Sequence, residues 1–81
     1  MERTEIFEKL NEIFEDVLDL DETPNLVNET TANDIEEWDS LSQIQLVVAI
    51  EKSFNLRFTS AEILGWNNVG EMVDTILKKC L

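Results

Sequence analysis

The chain has 81 residues, with 18 acidic side chains against six basic ones and a formal net charge of −12. This length fits one domain with a modest core, and so negative a surface excludes nucleic acid as a partner, because phosphate binding requires cations that release counterions. The single cysteine cannot form an internal disulfide, and no apolar run approaches the roughly 20 residues that span a bilayer. We therefore expect one monomeric domain over residues 1–81, located in the cytoplasm, with no membrane partner.

The acidic side chains are concentrated in the first half of the chain. Residues 1–20 hold seven acids and two bases, residues 21–40 hold seven acids and no base, and residues 41–81 hold four of each. The negative potential therefore peaks just before Ser40. Such a field attracts partner proteins with basic patches and speeds their approach.

The first predicted element is an amphipathic helix over residues 3–19. Its apolar residues recur at helical spacing and its acids lie on other faces. Residues 20–38 then form a long connection, because Pro24 disfavours helix before it and Asn, Thr and Asp are frequent. A connection of this length inside a small domain is usually functional. The residues expected to attach it to the core are Leu26, Val27, Ile35 and Trp38.

The second half of the chain carries three helix-start signals and no strand pattern. Asp39 is a good N-cap residue, Thr59 and Glu62 have the spacing of a capping box, and Asn68 and Glu71 offer a similar start. The helices are predicted over residues 40–54, 59–64 and 69–79. The expected fold is all-α: a small bundle of three main helices plus one short helix, with a long loop between the first and second helices.

The second helix has two apolar stripes, although a surface helix of a small bundle needs one. The stripe expected to face the core consists of Leu46, Val47, Ile50 and Phe54. The other stripe consists of Leu41, Ile44 and Val48. It is either covered by the first helix and the loop, or exposed as a docking surface for a partner. We favour docking.

Ser40 lies at the start of that helix, within Asp39-Ser40-Leu41. The free N–H groups of a helix N-terminus favour a nearby anion, so a phosphodiester on this serine would be stabilised. The tripeptide by itself is weak support for modification, because a serine at this place also serves as an ordinary helix cap.

Five segments of the second half of the chain together form a specific pattern. They are Glu37-Trp38-Asp39-Ser40-Leu41, Leu46-Val47-Val48-Ala49-Ile50, Glu51-Lys52-Ser53-Phe54, Thr59-Ser60-Ala61-Glu62 and the helix from Val69 to Ile76. Through these motifs, from Asp34 to about Ile76, the chain resembles the acyl carrier protein family. The length, the acidity, the long first loop and the order of the helices are also similar to that family.

The resemblance implies that Ser40 is the attachment point for a 4′-phosphopantetheine arm, with Asp39 in support. A phosphopantetheinyl transferase, with Mg²⁺ in its own active site, would transfer the arm from coenzyme A. The arm would then carry acyl groups as thioesters to partner enzymes of a fatty acid, polyketide or other specialised pathway. The chain would be a carrier and not an enzyme. The absence of histidine agrees, because neither a Ser-His nor a Cys-His pair can form.

The expected partners are acyl-loading and acyl-transfer enzymes with basic docking patches. The chain departs from the usual family pattern in two places: the second helix has Glu51 as its only acid, and the bulky Trp38 precedes the Asp-Ser pair. We therefore expect a specialised carrier whose partner recognises Trp38 and the acidic cluster formed by Asp34, Glu36, Glu37 and Asp39. The residues predicted to contact partners are Trp38, Leu41, Ile44, Val48, Glu36, Glu37 and Glu51.

Two other functions fit the same residues. The first is an aminoacyl or D-alanyl carrier with the same serine, and the second is an acidic interaction module that is never modified.

The acidic cluster lacks the spacing of a calcium loop, so a solvated face is preferred to a metal site. Trp66 is interpreted as a cap on the core rather than a gate to an acyl pocket, and Leu64 is expected in the interior.

Overall fold

The structure is a computed structural model that describes residues 2–80. It confirms the all-helical fold class: three longer helices and one short helix, with no strand among the described residues. The helices are α1 (Arg3–Val17), α2 (Ser40–Phe54), α3 (Ser60–Gly65) and α4 (Val69–Cys80). A single 3₁₀ turn, Ala32–Asp34, lies within the long loop between α1 and α2.

Side-chain caps start the helices where the sequence signals lie. Thr59 and Glu62 form a reciprocal capping box at the start of α3. The Glu71 N–H of α4 donates to Asn68 Oδ1 at 2.9 Å. These bonds occupy backbone donors that have no partner inside the helix.

Non-glycine residues in the left-handed conformation end α1 and α2. Asp19 has φ 53° and Asn55 has φ 54°. The next N–H in each case returns to the helix, from Leu20 to the Glu15 carbonyl at 3.0 Å and from Leu56 to the Glu51 carbonyl at 3.1 Å. This is the Schellman arrangement. It ends α1 at Val17 rather than at residue 19, because Asp19 has left the helical conformation.

The core lies between α1, α2 and α4. Phe14 of α1 is its largest fully buried side chain, and α2 contributes only its inner stripe. The other buried apolar residues are Ile6, Leu10, Leu18, Leu26, Leu46, Val47, Ile50, Val69, Met72, Val73 and Ile76.

The long loop is anchored on the start of α4. The Thr30 carbonyl accepts the Val69 N–H at 2.8 Å, and the Asn28 carbonyl accepts the Gly70 N–H at 3.0 Å. A side chain on Gly70 would meet Asn28 at 3.0 Å, so this close approach requires glycine. Leu26 is buried as expected, but the expectation for Val27 was wrong, because it is 47% exposed. The buried partner of this segment is Thr30, whose hydroxyl oxygen accepts the Val27 N–H.

Candidate functional site

Ser40 is the first residue of α2 and is exposed. Asp39, directly before it, has an extended backbone and caps the helix, because its Oδ1 accepts the Ser42 N–H at 2.9 Å. The Asp39 carbonyl also accepts the Gln43 N–H at 2.9 Å. The cap thus fixes the point at which α2 begins and leaves the Ser40 side chain at the surface.

Ser42 stabilises this turn through its hydroxyl group, a role that sequence reasoning missed. Its hydroxyl lies 2.9 Å from the Glu37 carbonyl oxygen and 3.0 Å from Asp39 Oδ1, and it donates to one of them at a time. The N–H and hydroxyl of Ser42 hold the pKa of the Asp39 carboxyl below its ordinary value of 3.8, because both donate to its charged form. No sequence signal separates Ser42 from any other serine in the first turn of a helix.

Trp38 is half-buried and packs on the core. Its ring meets Phe14 edge to face, with 4.9 Å between centroids. Its Nε1–H donates to Gln43 Oε1 at 2.7 Å. Trp38 therefore links the end of the loop, the first turn of α2 and α1, and only part of its ring is available to a partner.

Trp66 makes the same two kinds of contact as Trp38. Its ring meets Phe58 edge to face at 4.9 Å, and its Nε1–H donates to Thr75 Oγ1 at 2.9 Å. These contacts agree with a cap on the core, yet the ring also faces an open groove beside Ser40. Leu64 lies at the rim of that groove and is 85% exposed, so the expectation of an interior place for Leu64 was wrong. α3 has only 6 residues and none of them is buried, which leaves Leu64 on the outside.

The groove beside Ser40 has a volume of about 410 Å³ and lies between the start of α2 and the segment from α3 to α4. Its lining is mixed, with more apolar than polar surface. It is lined by Thr31, Ala32, Trp38, Asp39, Ser40, Gln43, Ile63, Leu64, Trp66, Asn67, Asn68 and Met72.

The outer stripe of α2 is left uncovered by the described residues of the chain. Leu41 is 68% exposed, Ile44 is 64% exposed and Val48 is 45% exposed. The first helix and the loop therefore do not bury it. Docking on this stripe stays a prediction, and its exposure is the condition that such docking requires.

The predicted acidic contact residues occupy two different settings. Asp34, Glu36 and Glu37 are exposed on the approach to Ser40, and Asp34 also closes a capping box with Thr31. Glu51, at the other end of α2, is half-buried, and its Oε2 accepts the Phe58 N–H at 2.8 Å. Glu51 therefore ties the end of α2 to the segment before α3.

The described residues also bear on two other kinds of site, a metal site and a membrane span. Between residues 2 and 80, His, Cys, Asp and Glu side chains form no group of three or more that could hold a metal ion. Over the same residues, no helix combines the length and the apolar character needed to cross a membrane.

The start of α2 fits a phosphate ester on Ser40. The side chain is exposed, it stands at the first helical position, and the N-terminal N–H groups of α2 favour an anion there. An arm extending from this oxygen has both open solvent and the groove beside it.

Comparisons with known proteins agree with this geometry. The family model described as "Phosphopantetheine attachment site" matches residues 8–76. An acyl carrier protein of Guillardia theta is 34% identical over 79 residues, covering 98% of this chain and 96% of that protein. One from Cyanidium caldarium is 32% identical, covering 95% and 88%. The solution structure of a holo acyl carrier protein from Geobacter metallireducens superposes with a TM-score of 0.83 at 40% identity, covering 90% of this chain and 83% of that one.

Proposed function

Because the chain belongs to the acyl carrier protein family, we propose that it carries acyl groups on a covalent 4′-phosphopantetheine arm attached to Ser40. When bound, the arm supplies a terminal thiol, which holds the acyl group as a thioester. One observation carries the assignment to this residue: an exposed serine at the first position of α2, capped by Asp39 and beside an open groove.

The residues around Ser40 present it as the acceptor of the phosphopantetheine arm and do not form a catalytic site. The bonds from Ser42 and Gln43 to Asp39 hold the turn that presents the Ser40 oxygen. With no histidine in the chain, no base of that type is available to take the serine proton. Asp39, the neighbouring carboxylate, is occupied as the helix cap, and we assign removal of the serine proton to the phosphopantetheinyl transferase. The single Cys80 also fits a reducing compartment such as the cytoplasm, where the protein acts as a monomer.

The test of the attachment site is the intact mass after incubation with coenzyme A, Mg²⁺ and a broad-specificity phosphopantetheinyl transferase. Ser40→Ala should gain no mass. Ser60→Ala is the matched control, because Ser60 is also exposed and also the first residue of a capped helix. It should gain one phosphopantetheine, as the unaltered protein does. Addition to Ser40→Ala would contradict the assignment.

The acids before Ser40 support a more specific proposal, a specialised carrier with a dedicated loading enzyme. Glu36 and Glu37 are exposed next to the attachment site, whereas α2 itself has only Glu51, which is engaged by the Phe58 N–H. A basic patch on the partner would therefore meet the loop rather than the helix.

Charge reversal at Glu36 and Glu37 tests that proposal. Glu36→Lys with Glu37→Lys should weaken loading by the cognate enzyme, most strongly at low salt. Glu8→Lys with Glu12→Lys makes the same change in net charge on the exposed side of α1 and should have a smaller effect. Equal effects of the two pairs, or unchanged loading, would leave the acidic cluster without a role in recognition.

The rival cargo is an amino acid. To distinguish the two cargoes, the holo protein is offered to adenylating enzymes that act on fatty acids and to others that act on amino acids. The kind of enzyme that loads the arm identifies the class of cargo. If no transferase adds an arm and Ser40→Ala keeps full function, the protein is instead an acidic interaction module that is never modified.

A further inference from the structure

A second cleft, at the far end of α2 from Ser40, has a composition unlike the rest of this acidic molecule. It has a volume of about 380 Å³ and lies where α2 turns into the segment leading to α3. It is lined by Val48, Glu51, Lys52, Asn55, Leu56 and Arg57. Two of the chain's six cationic side chains therefore meet in one cleft.

The cations of this cleft are available for a partner. Lys52 and Arg57 are exposed. The ion pairs found between residues 2 and 80 are Arg3–Asp74 and Glu62–Lys79, and neither involves them. Glu51, the one acid in the cleft, already accepts the Phe58 N–H at 2.8 Å. The cleft therefore presents two free cations beside one carboxylate with a backbone partner.

The backbone gives the cleft a fixed shape. Asn55 is left-handed at φ 54°, and the Leu56 N–H returns to the Glu51 carbonyl at 3.1 Å. These bonds, with the one from Phe58, hold the turn that separates Lys52 from Arg57.

The cleft continues the outer stripe of α2. Residues 41, 44, 48 and 52 follow one another at spacings of three, four and four, which places Lys52 on the same face as Leu41, Ile44 and Val48. With a rise of about 1.5 Å per residue, Lys52 lies about 16 Å along the axis from Leu41. Val48 belongs to both the stripe and the cleft.

This face is therefore polarised along the helix. Glu36, Glu37 and Asp39 make the end near Ser40 negative, the middle is apolar, and Lys52 with Arg57 makes the far end positive. A surface of uniformly basic character would complement only one end of it.

We propose that the enzyme that acylates the holo protein inserts an aspartate or glutamate side chain into the cleft between Lys52 and Arg57, while its basic residues meet the acids near Ser40. This rests on the proposed function and extends it to the chemistry of the partner. The two opposite contacts fix the direction in which the enzyme lies along α2. A polyanion such as nucleic acid or an anionic membrane does not fit, because the remaining surface of a protein with net charge −12 repels it.

The test uses the enzyme that acylates the holo protein, purified from the same cells by following that activity. Lys52→Glu and Arg57→Glu should each raise its KM for the holo protein roughly threefold at low salt, with little change in kcat. Lys78→Glu is the control: Lys78 is exposed on α4 and changes the net charge equally. Equal effects of all three variants would overturn the proposal.

Carbodiimide cross-linking gives a second readout, because it joins an amine to a carboxylate only when they are in contact. We expect a cross-link from Lys52 to an aspartate or glutamate of the enzyme, and reversal of that residue to lysine should restore the KM of Lys52→Glu. Cross-links from Lys78 but not from Lys52 would count against the cleft. The intact mass after transferase treatment distinguishes failure of this inference from failure of the proposed function. An arm on Ser40, together with an unchanged KM in the Lys52 and Arg57 variants, would overturn this inference alone.

Discussion

Both faces of α2 carry apolar side chains, but the two sets of side chains are present for different reasons. On the inner face, Leu46 and Ile50 are buried in the core with residues of α1 and α4. Val47 is also buried, so folding accounts for all three. Leu41 and Ile44 on the outer face are more than 60% exposed, so folding does not. The outer side chains are therefore informative about partners, because exposed apolar surface brings no stability to the isolated chain.

The largest expected effect distinguishes the faces by stability. Ile50→Ala removes a fully buried side chain and leaves a cavity, so it should lower the free energy of unfolding by about 2–5 kcal/mol. Ile44→Ala makes the same chemical change in the same helix at a 64% exposed site, and should stay within about 0.5 kcal/mol. Urea unfolding followed by circular dichroism measures both. Similar losses would mean that the outer stripe also supports the fold.

The same pair should give the opposite order in recognition. Ile44→Ala should raise the KM of the loading enzyme for the holo protein about fivefold, because its side chain lies in the middle of the proposed docking surface. Ala61→Ser, at an exposed site on α3, serves as the control and should leave the KM unchanged. A KM for Ile44→Ala equal to that of the unaltered protein would remove the stripe from the docking surface.

A smaller effect is expected in the first turn of α2, where Trp38 meets Gln43 on the inner face. Gln43→Leu removes the acceptor of the indole N–H and should cost about 1 kcal/mol of stability. The indole N–H resonance of Trp38 should shift while that of Trp66, bonded to Thr75, stays in place. Gln45→Leu, on an exposed part of the same helix, is the control. A shift of both resonances would point to a general loss of packing.

The smallest effect is a dependence on acid at the start of α2. The pKa of Asp39 is lowered in the folded state, so its contribution to stability is present above the ordinary value of 3.8 and is lost as the pH falls through the lower folded value. The protection of the Ser42 amide, measured as its exchange rate relative to the intrinsic rate at each pH, should then fall as the cap bond weakens. Asp39→Asn keeps an acceptor that does not titrate, and its Ser42 amide should lack this pH dependence. An unchanged profile in Asp39→Asn would assign the acid sensitivity to another group.

Sequence reasoning succeeded where a local pattern has one structural solution. The caps at Thr59 and Asn68 fixed the starts of α3 and α4 to within a residue, and the spacing of Leu41, Ile44 and Val48 identified a face that the fold leaves open. These signals depend on neighbours one to four residues apart, which the sequence displays directly.

The same reasoning failed where long-range contacts decide. Nothing local distinguishes Thr30, which is buried, from Val27, which is exposed, because their places follow from the docking of the loop on Val69 and Gly70 of α4. Leu64 was expected inside, yet α3 is too short to bury it. The cationic cleft also escaped notice, because Lys52 and Arg57 are brought together by the turn at Asn55.

The most direct test of the central claim is the mass and fragmentation of the protein purified from the cells that make it. We predict a phosphopantetheine arm on the peptide that contains Ser40, part of it bearing an acyl group that hydroxylamine releases. An unmodified Ser40 in the native protein, or an arm on another serine, would contradict the account.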